Sequence, residues 1–374
     1  MNTSPNKTDH VTSSGDRLAL FSEYRRWIDR LLVDLDGAHD EIVMEMYIFE
    51  PDGAGSEVAL ALMRAAQRGV QVRVMYDGLG SETTPSGFFD ELRDSGITVR
   101  AYNPLEPWSK SYSATLPFRR RNHRKLTVID GCIGHLGGMN LSGRFIDWAD
   151  LSLRIEGPAV RTLRQSHQAV WDGRYRKWIS HPWRRPGPAA EIRVLDNFAN
   201  PDYSPIKRHY LTAINKARTR ILLAQGYFFP DKRLRKALRK AARRGVSVEV
   251  VAPEKSDIRA VDYAAHYIYG KLLRDGVKIF LLPEPMLHAK AAVIDDHWMT
   301  LGSANLDPIS LFSCLEINVS LRHRPLIAEA TAVIEGYQRR ATPLSVKAWF
   351  KRSWGEKFIA WLWYSLRLWF GRRE

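Results

Sequence analysis

Cysteine is nearly absent: the 374 residues contain two, Cys132 and Cys314. Two thiols cannot build a disulfide framework or a cysteine-rich metal site. Their scarcity suits a reducing compartment, with both expected to act as small buried hydrophobes. A targeting segment is missing as well. Met1–Asp16 is polar and lacks the apolar core of a secretory signal, so synthesis is expected to leave the chain inside the cell. Membrane-spanning runs are lacking too: the apolar stretch Phe358–Phe370 contains Arg367 and falls short of the ~20 residues that cross a bilayer. Acidic residues are in deficit, 41 against 56 Lys and Arg, leaving a net charge of +15. A field of that sign draws anions such as nucleic acid, phospholipid headgroups or phosphorylated metabolites, without choosing among them.

What is present is an internal repeat. The chain is long enough for two domains, and its 45% apolar and 26% charged residues read as globular. In the first half Glu41–Phe49 reads as a strand, Glu57–Arg68 as an amphipathic helix closed by Gly69, and Val70–Tyr76 as the next strand. In the second half Arg220–Phe229, Lys232–Arg244 closed by Gly245, and Val246–Val251 repeat the order. A further helix and strand end each unit at Ile97–Tyr102 and Val277–Leu282. Strands alternating with helices predict an α/β fold: two tandem, similar α-β-α domains, each around a mixed, mainly parallel sheet. The expected division is a disordered 1–15, a first domain 16–185, a second domain 186–345 and a tail 346–374. The Pro- and Gly-rich His181–Ala190 serves as the linker.

The chemistry lies in a second repeat, nested in the first. His123-Arg-Lys125 is followed after four residues by Asp130 and after six more by Gly137-Gly138-Met-Asn140. His288-Ala-Lys290, Asp295 and Gly302-Ser303-Ala-Asn305 follow at identical spacing. Residues two apart on a strand face the same way, so each His and Lys can address one ligand. The Asp, at an odd offset, belongs to the opposite face and reads more readily as a structural partner. The small residues that follow can bring backbone N–H groups close to an anion, and Asn140 and Asn305 add side-chain donors. One half is therefore a site for one phosphate. Two halves meeting at a pseudo-twofold interface would supply two imidazoles, a nucleophile for phosphorus and an acid for the departing alkoxide. The lysines and asparagines would stabilise charge on the oxygens, with neither metal nor cofactor needed.

With this doubled motif the chain resembles the phospholipase D superfamily, whose HxK(x)4D(x)6G[GS]xN pattern it carries twice. The closest likeness is to short bacterial cardiolipin synthases, from about Gly15 to Arg340. Supporting stretches are Tyr76-Asp-Gly-Leu-Gly80, Leu153-Arg-Ile-Glu-Gly-Pro158, Gly226-Tyr-Phe-Phe-Pro230 and Asn305-Leu-Asp-Pro-Ile-Ser310. The resemblance implies that one histidine is phosphorylated transiently while the other acts as acid and then base. It assigns His123, Lys125, Asp130, His288, Lys290 and Asp295 to catalysis, and Gly138, Asn140, Ser303 and Asn305 to the substrate. It also suggests that a carboxylate ten or eleven residues past each Asn, Asp150 and Glu316, hydrogen-bonds a catalytic histidine.

Two basic regions complete the reading. Pro117-Phe-Arg-Arg-Arg-Asn122 with Arg124 could hold a second anionic headgroup. Trp349–Glu374 carries five of the twelve tryptophans beside Lys351, Arg352, Lys357, Arg367, Arg372 and Arg373. Trp354, Phe358, Trp361, Leu362 and Trp369 recur at helical spacing, so the segment reads as a helix lying in a membrane interface, the alternative being a helix docked on the core. The expected partners are phospholipids, with phosphatidylglycerol or phosphatidylethanolamine as donor, and an anionic membrane surface, at the cytoplasmic face of a bacterial inner membrane. Nucleic acid is disfavoured and the oligomeric state is not legible. The expected activity is phosphatidyl transfer onto phosphatidylglycerol. The competing readings are hydrolysis by the same site, a nuclease, and a non-catalytic lipid-binding scaffold.

Overall fold

A computed structural model describes residues 9–104, 120–174, 191–200 and 203–371. The linker assigned to His181–Ala190 lies outside these residues. Each half is built on an eight-stranded sheet. The first contains β1 (His10–Val11), β2 (Arg17–Phe21), β3 (Glu41–Met46), β4 (Gln71–Asp77), β5 (Thr98–Tyr102), β6 (Leu126–Ile129), β7 (Ile133–Gly137) and β8 (Ser152–Glu156), in the order 1-2-8-7-6-3-4-5. The second contains β9 (Ile192–Phe198), β10 (Arg220–Gln225), β11 (Ser247–Pro253), β12 (Lys278–Leu282), β13 (Lys290–Ile294), β14 (Trp298–Gly302), β15 (Leu315–Leu321) and β16 (Thr342–Pro343), in the order 16-12-11-10-13-14-15-9.

The sheets are mixed, but mainly antiparallel rather than mainly parallel. Among the described strands only β3–β4–β5 and β10–β11–β12 pair parallel, because only these sheet neighbours are joined to one another through helical crossovers. The motif strands β6–β7–β8 and β13–β14–β15 pair antiparallel. The tight turn after each motif Asp brings the chain straight back, as a hairpin does.

The repeat is visible in packing. Gly53–Gln67 buries Val58, Ala59, Leu62 and Ala65, and Lys232–Arg243 buries Leu234, Ala237, Leu238 and Ala241. Both helices end on a glycine at positive φ, Gly69 at +91° and Gly245 at +89°, which explains the repeated Arg-Gly-Val ending. Within the N-terminal stretch expected to be disordered, His10 and Val11 pair with Leu18 and Arg17. Cys314 is buried as expected, whereas Cys132 is exposed in the turn that opens β7.

The two halves share one apolar cluster. Leu126, Leu136 and Leu153 from the first sheet pack with Ala291, Met299 and Ile317 from the second. Trp349 joins the core of the second half, against His266 and Tyr269, so the segment that follows the second domain begins docked on it. Beyond it Trp354–Gly371 forms a helix. Ala360 is buried and Tyr364 packs on Phe229 and Tyr267, while Trp354, Phe358, Trp361 and Leu362 stay exposed. One face of this helix is therefore docked on the core, while the other stays uncovered. Among the described residues no helix is long and apolar enough to cross a membrane.

Candidate active site

The site forms where the approach to each motif strand crosses into the other half. Asn122 forms a parallel bridge with Leu315, and Leu287 one with Ala149. The His123 N–H donates to the Leu315 carbonyl at 3.0 Å, and the Leu315 N–H to the Arg121 carbonyl at 2.8 Å. In the mirror position the His288 N–H donates to the Ala149 carbonyl at 2.8 Å, and the Ala149 N–H to the Met286 carbonyl at 2.9 Å. Leu315 and Ala149 immediately precede Glu316 and Asp150. The backbone thus sets each histidine beside a carboxylate of the opposite half. His123 Nδ1 lies 3.0 Å from Glu316 Oε1, and His288 Nδ1 lies 2.6 Å from Asp150 Oδ2. A carboxylate on Nδ1 holds that nitrogen protonated and leaves Nε2 as the reactive atom.

Aromatic rings fix the imidazoles from the side. Tyr47 stands edge-on to His123 at 4.8 Å between ring centres, and Trp148 and Tyr227 approach His288 at 5.1 and 6.3 Å. Lys125 Nζ donates to the His123 carbonyl at 2.8 Å and lies 5.0 Å from the Tyr47 ring centre. Lys290 Nζ donates to the His288 carbonyl in the same way.

Burial dominates the electrostatics. It pushes His123 well below the ordinary imidazole value, with Lys125 and Lys290 adding to the effect. It pushes His288 down to about 4, Lys125 to about 7 and Lys290 to about 8. Lys290 acts on His123 and Lys125 on His288, so the four groups share one field. Such a site keeps its cationic groups poorly solvated. An entering phosphodiester would relieve the repulsion and raise all four values together.

The two carboxylates differ. Burial raises Glu316 to about 8 against the opposing pull of Lys125 and Ser303. Asp150 is buried too, but His288 and Lys290 outweigh burial and hold it below the ordinary carboxylate range.

Not every motif residue joins the cluster. Asp130 accepts from the N–H groups of His39, Asp40 and Glu41, at 3.0, 2.8 and 3.0 Å. Asp295 accepts from those of Arg218, Thr219 and Arg220, at 2.7, 2.8 and 2.9 Å. Each lies at the far end of its strand from the Lys, roughly 15 Å away at ~3.3 Å per residue, and fastens the start of β3 or β10. Both motif aspartates thus bond backbone away from the imidazoles, as the odd offset anticipates.

The small and amide residues are also turned toward the protein. A Cβ on Gly138 would meet Asp150 Oδ1 at 2.2 Å, so glycine makes room for the carboxylate. Ser303 Oγ donates to Glu316 Oε2 and accepts the Ile317 N–H at 3.0 Å. Asn140 Oδ1 accepts the Ile48 N–H at 3.3 Å. Asn305 Oδ1 is buried and has no partner among the described residues.

Two arginines of the basic run are likewise redirected, while Arg120 stays exposed and 117–119 lie outside the described residues. Arg124 is fully buried, 3.4 Å from Glu45 and donating to Ser166 at 2.9 Å. Arg121 is buried against Asp77 and the Asn103 carbonyl. Strand alternation explains Arg124, which must face away from His123 and Lys125. The sequence gives no signal for Tyr47 or Trp148, nor for the exchange of carboxylates between halves.

Comparisons with known proteins show the family and the fold. A family model described as "Cardiolipin synthase, PLD-like domain" matches residues 31–171 and 210–337, once per half. The chain is 35% identical to cardiolipin synthase B of Escherichia coli K12 over 328 residues, 83% of this chain and 77% of that protein. It is 30% identical to a cardiolipin synthase of Oceanobacillus iheyensis over 359 residues, 93% of this chain and 74% of that protein. Among solved structures it is similar in fold to a phosphatidylserine synthase of Haemophilus influenzae. That match has a TM-score of 0.73 at 12% identity and covers 94% of this chain and 93% of that one.

Proposed function

Since the chain belongs to the cardiolipin synthases built from phospholipase D-like domains, we propose that it transfers a phosphatidyl group through a phosphohistidine onto phosphatidylglycerol. The observation that carries the reading is the pair of imidazoles, each oriented by a carboxylate from the opposite half. Nε2 of one histidine attacks the donor phosphorus. An N–P bond forms, the bond to the headgroup oxygen breaks, and the second imidazolium gives its proton to that oxygen. The same imidazole then takes the proton from a glycerol hydroxyl of the acceptor, whose oxygen displaces the histidine. Lys125, Lys290 and Asn305 supply positive charge and a donor for the phosphate oxygens.

We assign His123 as nucleophile and His288 as acid and base, on resemblance and on the ionised Asp150, which favours an imidazolium at residue 288 once substrate charge has entered. In the His288→Ala variant a phosphatidyl group should then accumulate on His123. Peptide mapping that found it on His288 in the His123→Ala variant, and none on His123, would reverse the order. The place of work is the cytoplasmic face of the inner membrane, with the exposed aromatic stripe of Trp354–Gly371 in the headgroup layer.

The activity is tested by supplying purified protein with phosphatidylglycerol, with and without phosphatidylethanolamine, and separately with DNA. Mass analysis should find cardiolipin and free glycerol. Phosphatidic acid alone would make the protein a hydrolase, and nicked DNA with unchanged lipid would make it a nuclease.

A further inference from the structure

The helix Lys232–Arg243 is far more basic than its place in the fold requires. It contains Lys232, Arg233, Arg235, Lys236, Arg239, Lys240 and Arg243, and no acidic residue. Its counterpart in the first half, Gly53–Gln67, occupies the same position with one Glu and one Arg, Glu57 and Arg64, both paired, with Arg25 and Asp36. The repeat thus serves as an internal control: covering this sheet does not call for charge. Among the described residues, Lys232, Arg233, Lys236, Arg239 and Lys240 lie within 4.0 Å of no carboxylate.

The charge has a direction. At about 100° per residue, Lys232, Lys236, Arg239, Lys240 and Arg243 fall on one face, opposite buried Leu234, Ala237, Leu238 and Ala241. Arg235 stands on the flank, where its Nη1 lies 3.5 Å from the Tyr364 hydroxyl. Tyr364 belongs to the C-terminal helix and also packs on Phe229. The basic helix therefore adjoins the helix whose outward stripe is Trp354, Phe358, Trp361 and Leu362, with Trp354 79% exposed. The site is close by. Tyr227, which touches His288, is two residues from Phe229, which touches Tyr364, a span of at most about 10 Å along the chain.

We propose that the helices Lys232–Arg243 and Trp354–Gly371 form one composite surface for an anionic lipid bilayer. The first reads headgroup charge, the second inserts aromatic side chains, and together they bring the rim of the site to the lipid. This inference rests on the membrane placement proposed above and adds the basic helix to it. Aromatic exposure beside the cations favours a bilayer over nucleic acid, which would use the cations but not an apolar stripe. Cations near an anionic surface act additively and are screened by salt, whereas apolar insertion is not.

The test uses three full-length proteins: the parent, Lys232→Glu/Lys236→Glu/Lys240→Glu, and Trp354→Ser/Trp361→Ser. Each is sedimented with phosphatidylcholine vesicles, with and without phosphatidylglycerol, at low and high salt. Turnover of a short-chain soluble phospholipid reports that the site is folded, and a Lys→Gln version of the triple variant replaces it if that turnover is lost. The charge-reversed protein should bind anionic vesicles at least roughly tenfold more weakly at low salt, ignore the anionic lipid content, and keep its soluble turnover. The tryptophan variant should keep salt-sensitive binding and lose the binding that survives high salt. Charge reversal without effect on vesicle binding, while the tryptophan variant fails to bind, would overturn the inference and leave the aromatic anchor standing. Full binding by the tryptophan variant would instead remove the anchor reading. Loss of DNA binding alone on charge reversal would also overturn the inference, by assigning the helix to nucleic acid.

Discussion

Glu316 and Asp150 occupy equivalent places, yet burial raises one to about 8 while charge holds the other low. An ionised Glu316 accepts from His123 Nδ1–H and leaves Nε2 free to attack. A protonated Glu316 accepts that bond only weakly and carries no charge to stabilise the imidazole as it turns cationic, so the nucleophilic tautomer loses its support. The sign follows: the ionised, active form exists above the Glu316 pKa. In the parent, kcat/KM should therefore rise with pH through a limb near 8. In Glu316→Gln that limb should disappear and kcat should fall by at least roughly a hundredfold. A pH–rate profile of parent and variant checks both statements, and an unchanged limb in the variant would show that Glu316 is not its source.

At the scale of elements, the repeated helix-strand units and the paired motifs are legible because periodicity and spacing are local properties of the chain. The Asp offset is legible for the same reason, since side-chain alternation along a strand is fixed by geometry. Asp130 and Asp295 each satisfy three backbone N–H groups at the start of a central strand. Asp130→Ala should then cost about 2 kcal/mol or more of stability, through amides left unpaired in a part-buried turn, while turnover per folded molecule stays near that of the parent. Urea denaturation read beside specific activity separates the two effects. A hundredfold loss of kcat with unchanged stability would place the carboxylate back in the chemistry. The direction of the sheets is not legible in this way. Strand pairing depends on which segments return by tight turns, and the turns after Asp130 and Asp295 make the motif strands antiparallel.

For the whole molecule, the sequence reveals two similar halves, and the resemblance implies that Asp150 and Glu316 serve histidines. That each serves the histidine of the other half arises only when Asn122 meets Leu315 and Leu287 meets Ala149 across the interface. The fate of Arg124 is hidden likewise, because its partner Glu45 is distant in the chain and its run of neighbours reads as a place for an anionic headgroup. The tail was ambiguous for a similar reason: one helix both docks through Ala360 and Tyr364 and exposes Trp354 and Trp361.

The central claim is that two halves build one catalytic site rather than two. Turnover of phosphatidylglycerol by His123→Ala, His288→Ala and the double variant tests it most directly. A shared site predicts that each single variant falls essentially as far as the double, because residues that act as a unit are grossly non-additive. Two independent sites would leave each single variant with roughly half the parent rate and only the double variant inactive, and that result would contradict the account.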